Sequence, residues 1–117
     1  MAKAKKHFLI RSKIWIEDEQ GEVVFGSGRY LILETVDRTR SLQAAAKELK
    51  MSYRALWGRI KASEQRLGHA LVMRDGKGSK LTPFAENLLV QYRKVQENIR
   101  DESDEIYNDL ISEYIEQ

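Results

Sequence analysis

Between Ser41 and Gly68 the apolar positions keep a helical period that is interrupted once. Leu42, Ala45, Ala46 and Leu49 recur at i, i+3, i+4 and i+7, and Leu56, Ile60 and Leu67 follow at spacings of four and seven. Ser41 and Ser52 stand just before the two stripes, where a serine oxygen can accept an orphan amide of the first helical turn. Lys50-Met51 forms the joint, and small Ala45 and Ala46 sit where two helices must come close. An ordinary αα-hairpin in a helical core would satisfy the same periodicity. The residues after Gly68 argue for something more specific. Leu71-Val72-Met73-Arg74 reads as a strand, Asp75-Gly76-Lys77-Gly78-Ser79-Lys80 as a glycine-rich turn, and Leu81-Thr82 as the return strand before Pro83. A small hairpin with a basic tip after the second helix is the order of a winged helix-turn-helix, whose second helix enters the DNA major groove.

The flanking segments extend this pattern. Phe8, Ile10, Ile14 and Ile16 mark a strand from Phe8 to Ile16. Glu17 to Glu22 is a polar turn and Val23-Val24-Phe25 a second strand, so the chain is expected to open with a β-hairpin of about 20 residues. Gly26-Ser27-Gly28 is expected to break it before a helix from Arg29 to Arg40, with Tyr30, Leu31, Ile32, Leu33 and Val36 apolar. Thr82-Pro83-Phe84-Ala85-Glu86 is a helix start: threonine cap, proline at the first position, glutamate in the first turn. No glycine or proline follows, which leaves room for about 35 helical residues, roughly 50 Å if unbroken.

Along that last helix Leu88, Tyr92, Val95 and Ile99 keep a 4-3-4 spacing, Asp101 to Glu105 interrupts, and Ile106, Tyr107, Leu110, Ile111, Tyr114 and Ile115 resume a broad apolar face. Two arrangements cover such a face. A second copy can pack on Leu88, Tyr92, Val95, Ile99, Ile106 and Leu110. Alternatively the acidic run bends the chain and the last 12 residues fold back on their own protomer, over the N-terminal hairpin. The first is favoured. The expected fold is therefore mainly α with small β: a winged helix-turn-helix with an N-terminal β-hairpin and a long C-terminal dimerisation helix. Residues 1–83 would form the DNA-binding domain and residues 84–117 the dimerisation segment.

Charge adds to this reading. The 117 residues carry a net +2, but residues 1–80 hold 17 Lys and Arg against 9 Asp and Glu, a net of +8. Residues 81–117 hold 3 against 9, a net of −6. A basic body with an acidic tail suits a nucleic-acid binder, because phosphate neutralisation supplies most non-specific affinity; it also arises when the two signs merely solvate different surfaces. The absence of cysteine excludes disulfides and thiolate metal sites. The basic opening Met1 to Lys6 has no long apolar run after it, and no stretch approaches the ~20 apolar residues of a membrane span. A cytosolic protein without a signal peptide or membrane partner is expected.

On a helical wheel of about 100° per residue, Leu56, Ile60 and Leu67 share one side of the second helix, with Tyr53 and Trp57 at its edge. The opposite side carries Arg54, Ala55, Gly58, Lys61, Ala62 and Gln65. Arg54 is the candidate for base readout, since a guanidinium pairs bidentately with guanine. Lys61 is a candidate phosphate contact. Gly58 lowers helix stability by about 1 kcal/mol against alanine, and is either a neutral surface glycine or a site of close approach to DNA. Ser41 and Gln43, and Ser52, stand at helix N-termini that attract anions; for Ser52 a plain capping role is equally sufficient. Lys77 and Lys80 are candidate backbone or minor-groove contacts, Arg74 is half structural, and Arg59 on the flank is a candidate for a surface ion pair.

The stretch from Gly26 to Arg93 resembles the N-terminal DNA-binding domain of ModE-type molybdate-responsive transcription regulators and, more distantly, the winged helix of LysR-type regulators. The residues that carry the likeness are GSGRYLILETVD, SLQAAAKEL, Ser52-Tyr53-Arg54 with Trp57, Leu71-Val72-Met73-Arg74, the Gly76-Lys77-Gly78 wing, and Leu81-Thr82 before a helix containing Gln91-Tyr92. The wing is shorter and poorer in glycine than is usual in that family. The family's C-terminal oxyanion-binding domain has no counterpart before Gln117, and the opening hairpin resembles that of stand-alone, single-domain members. The resemblance thus implies a homodimeric regulator of double-stranded DNA, without licensing molybdate sensing, and leaves any effector open. It also puts Tyr53 and Trp57 at the DNA surface. The wheel and the resemblance agree if each ring packs at the helix edge while its OH or indole N–H reaches a phosphate.

Neither an enzyme nor a cofactor is expected. His7 and His69 lack a partner at metal-ligand spacing, and no phosphate loop or nucleophile elbow appears. The rival readings are a winged helix that binds protein, an architectural DNA binder, and a regulator with an effector site between protomers.

Overall fold

The computed structural model describes residues 6–117; residues 1–5 of the basic opening lie outside the described residues. Two short strands come first, β1 (Trp15–Glu17) and β2 (Val23–Gly26), paired antiparallel with Ile16 opposite Phe25 and an irregularity between Ile16 and Glu17. The turn between them is held by the Asp18 carboxylate, which accepts the amides of Gln20 (3.0 Å) and Glu22 (2.9 Å). Three helices come next: α1 (Ser27–Thr39), α2 (Leu42–Glu48) and α3 (Tyr53–Leu67). A second antiparallel hairpin, β3 (Val72–Asp75) and β4 (Gly78–Leu81), leads into α4 (Pro83–Leu110), and a single turn of helix, α5 (Ser112–Ile115), ends the chain. The chain divides into two compact units, Ile14–Gln91 on the one hand, and on the other the segment up to Lys13 together with Tyr92–Gln117.

Inside the first unit the two serines cap as their positions suggest. Ser41 Oγ accepts the Ala44 amide at 3.1 Å and Ser52 Oγ the Ala55 amide at 3.0 Å. Thr82 Oγ1 does the same for Ala85 at 3.2 Å, and its hydroxyl also donates to the Ala70 carbonyl at 2.7 Å. Leu33 and Val36 of α1, Ala45 and Ala46 of α2, Leu56 and Ile60 of α3, and Leu71, Leu81 and Ala85 are buried together with Val24 and Phe25 of β2. The helical stripes and the two hairpins therefore converge on one apolar centre.

Four boundaries differ from the sequence reading. No strand runs from Phe8 to Ile14: β2 gives way to α1 at Ser27, so no extended backbone remains for those residues to pair with. Gly26-Ser27-Gly28 is not a break. Gly26 is the N-cap and α1 starts at Ser27, ending at Thr39 with Arg40 in the left-handed conformation (φ 58°). The wing turn shrinks to Gly76-Lys77, since Asp75 already pairs with Gly78; a glycine at φ 60° in the first turn position fits a tight hairpin. Finally, Asp101 to Glu105 does not interrupt α4. Only charge disfavours helix there, not backbone stereochemistry, and the break comes at Ile111, with φ −126°.

In the second unit the last turn folds back on its own protomer, against Tyr107 and the segment at His7 and Phe8. The Tyr107 hydroxyl donates to Glu116 at 2.7 Å, the Phe8 amide approaches the same carboxylate at 3.5 Å, and His7 Nδ1 lies 3.7 Å from its other oxygen. Burial, then the hydrogen bond and negative charge of Glu116, push the Tyr107 hydroxyl up to about 12.

Candidate nucleic-acid interface

The recognition helix α3 is seated by its inner face. Leu56 and Ile60 are fully buried, and so is Ser63 at 0% exposure. Ser63 stands in the apolar stripe, between Ile60 and Leu67, and its hydroxyl accepts Arg29 Nε of α1 at 3.0 Å. Burial, with the nearby charges of Arg59 and Arg66, lowers the Arg29 guanidinium from its usual range. Arg66 ties the other end of α3 to the first hairpin, donating to the Val23 carbonyl at 2.6 Å and lying 3.6 Å from Glu22. Neither contact is visible in periodicity, although Ser63 at i+3 from Ile60 was a signal that the stripe continues through a polar residue.

The outer face of α3 is open. Tyr53 is 46% exposed, Arg54, Gly58 and Lys61 are exposed, and Trp57 is half-buried at the edge. A Cβ placed on Gly58 would meet nothing within 4 Å, so no packing contact among the described residues requires glycine there. The Lys61 ammonium lies 4.3 Å from the centre of the Trp57 ring and 2.9 Å from Glu64. The other Glu64 oxygen accepts the Leu71 amide at 2.7 Å, with the Val72 amide at 3.5 Å. Burial alone would push this carboxyl up; the Leu71 amide and the Lys61 ammonium outweigh it, and the carboxyl lies below its usual range.

The wing is fixed at its base. The Ser79 amide donates to the Arg40 carbonyl at 3.0 Å, and Gly78 lies so close to that carbonyl that a Cβ there would collide with it. The left-handed turn at Arg40 presents this carbonyl, and so joins the α1–α2 corner to β4. Arg38 of α1 pairs with Glu48 of α2 beside it, and their hydrogen bond raises the arginine and lowers the carboxyl. Arg74 and Lys77 are exposed on the hairpin and Lys80 is half-buried. Ser41 is half-buried as a cap, Gln43 is exposed next to it, and Ser52 is exposed. His69 stacks on Phe84, with ring centres 4.0 Å apart.

Of the residues proposed for the C-terminal face, Tyr92 is buried within its own chain and Leu88 and Ile99 are half-buried. Val95, Ile106 and Leu110 are exposed.

A helix-turn-helix whose second helix is followed by a short, anchored β-hairpin defines a winged helix-turn-helix. Residues 29–86 match the model of the bacterial regulatory helix-turn-helix protein of the lysR family. The chain is 32% identical over 79 residues to the molybdenum-pterin-binding protein MopB of Rhodobacter capsulatus, covering 63% of the chain and 29% of that protein. It is 30% identical over 73 residues to the molybdenum transport protein ModE of Azotobacter vinelandii, covering 58% of the chain and 27% of the relative. It thus spans less than a third of the length of these curated relatives. Among solved structures, the CbnR_DBD–DNA complex is similar, with a TM-score of 0.52 and 28% identity over 68% of this chain and 90% of that one. Among the described residues, no helix is long and apolar enough to cross a membrane.

Proposed function

We propose that this protein is a sequence-specific regulator of transcription that binds double-stranded DNA through α3 and the β3–β4 wing, as a homodimer. The observation that carries the reading is the outer face of α3. Arg54 is exposed in its first turn, two residues after the Ser52 cap, on a helix seated by buried Leu56, Ile60 and Ser63. A helix held this rigidly can present a guanidinium to a guanine edge, while Ser41, Gln43, Ser52 and the wing residues Arg74, Lys77 and Lys80 serve the phosphates. Tyr53 and Trp57 flank the readout face, their polar atoms available to the backbone. Exposed Val95, Ile106 and Leu110 support pairing of two copies, which would set the recognition helices about 34 Å apart, one turn of B-DNA.

Fluorescence anisotropy with a duplex carrying the preferred site tests the assignment of roles. Arg54→Ala should weaken binding and relax preference at one base pair by about 1–3 kcal/mol. Lys77→Ala should weaken all sequences alike. Unchanged sequence preference in Arg54→Ala would remove Arg54 from base readout.

A further inference from the structure

Glu64 is the acidic side chain that the exposed face of α3 does not account for. It neighbours the readout face, and its side chain is only 11% exposed. Its two oxygens do different things. One takes the Leu71 amide at the start of the wing at 2.7 Å, and the other holds the Lys61 ammonium at 2.9 Å. From the opposite side, Lys61 is covered by the Trp57 ring at 4.3 Å. The lysine therefore lies along the helix between an indole face and a carboxylate, though its side chain is still 51% exposed. A phosphate must therefore compete with both for the ammonium.

The geometry points to Glu64 as a specificity-determining residue, an intramolecular counter-anion that competes with DNA phosphate for Lys61. The physical argument is one of differences. Phosphate contacts raise affinity for every sequence equally, so a lysine held back by its own carboxylate lowers indiscriminate binding and leaves base readout by Arg54 untouched. The same carboxylate sets the wing against α3 through Leu71, so the charge cannot simply be turned away from the lysine. This inference rests on the DNA-binding role proposed for α3.

The test measures binding of the full chain to a random-sequence duplex and to its preferred site, across a range of salt. Glu64→Gln keeps an oxygen for the Leu71 amide and removes the charge. It should bind the random duplex up to about fivefold tighter, the scale of one exposed ion pair. Its log K against log salt should steepen by about 0.9, the value of one more phosphate contact, and discrimination between the two duplexes should shrink. Adding Lys61→Ala to Glu64→Gln should cancel these gains. An unchanged slope, or weaker binding at an unchanged slope, in a folded Glu64→Gln would reduce Glu64 to a structural tie and overturn the proposal. Lys61→Met serves as a second variant should Glu64→Gln fail to fold, because it keeps an apolar stem over Trp57. It should bind the random duplex within about twofold of the parent, whereas a loss of about tenfold would put Lys61 on phosphate already and overturn the proposal equally. No binding of either duplex by the parent protein would instead reject the DNA-binding reading itself.

Discussion

Gly58 separates two quantities that usually move together. Among the described residues nothing occupies the space above it, so alanine fits without displacing a neighbour and should stabilise α3 by about 1 kcal/mol. If α3 lies in the major groove, the same methyl group stands between helix and DNA. The expected outcome for Gly58→Ala is a raised melting temperature in calorimetry together with weaker DNA binding; higher stability with unchanged affinity would mean that nothing approaches that face closely. Single residues were also where sequence reasoning reached unevenly. Ser41, Ser52 and Thr82 were legible as caps because capping depends on the residue and its next three neighbours. Ser63, Arg29 and Glu64 were not, because a serine in an apolar stripe and a glutamate three positions from a lysine acquire meaning only through partners 34 and 7 positions away.

At the scale of elements, α2, α3 and the wing were legible, and the length of the wing's turn was not. The wing was read with a six-residue turn because glycine and lysine both signal loop, yet the ladder closes to a two-residue turn once Gly78 docks on the Arg40 carbonyl. That docking makes a prediction. Gly78→Ala must move β4 off the α1–α2 corner and lose the Ser79–Arg40 hydrogen bond. It should destabilise the protein by about 1–3 kcal/mol in urea unfolding and displace the wing. The C-terminal turn responds to pH instead. The Tyr107 hydroxyl is raised from its usual 10 to about 12, so its bond to Glu116 contributes stability that is fully present below pH 10 and is lost as pH rises toward 12. Ultraviolet titration of tyrosinate should show a tyrosine ionising near 12 that is lost in Tyr107→Phe, while Tyr92, which burial also raises, stays late in both proteins; loosening of residues 112–117 should accompany ionisation of Tyr107.

For the molecule as a whole, the amphipathic pattern of α4 foretold a helix but not its partners. Tyr92 and Ile99 share the 4-3-4 spacing with Val95, yet Tyr92 is buried inside the chain while Val95 is exposed, because periodicity assigns residues to a face and not to the neighbour that covers it. The exposed remainder, Val95 with Ile106 and Leu110, is the part that a second copy would cover. Val95→Asp combined with Ile106→Asp should convert a dimer to a monomer in sedimentation velocity and sharply weaken binding to a two-fold site, while a single half-site is bound as before. A sedimentation profile unchanged by the pair would place the dimer contact elsewhere.

The central claim is sequence-specific recognition of duplex DNA by two copies of one reading helix. Selection of bound sites from a random double-stranded pool, with the winning sequence then titrated against salt, tests it most directly. The account predicts an enriched palindrome whose half-sites are centred about 10 base pairs apart, bound with a steep negative salt slope. Weak binding with no enriched motif would contradict it and would make the winged helix a surface for protein partners or an architectural binder.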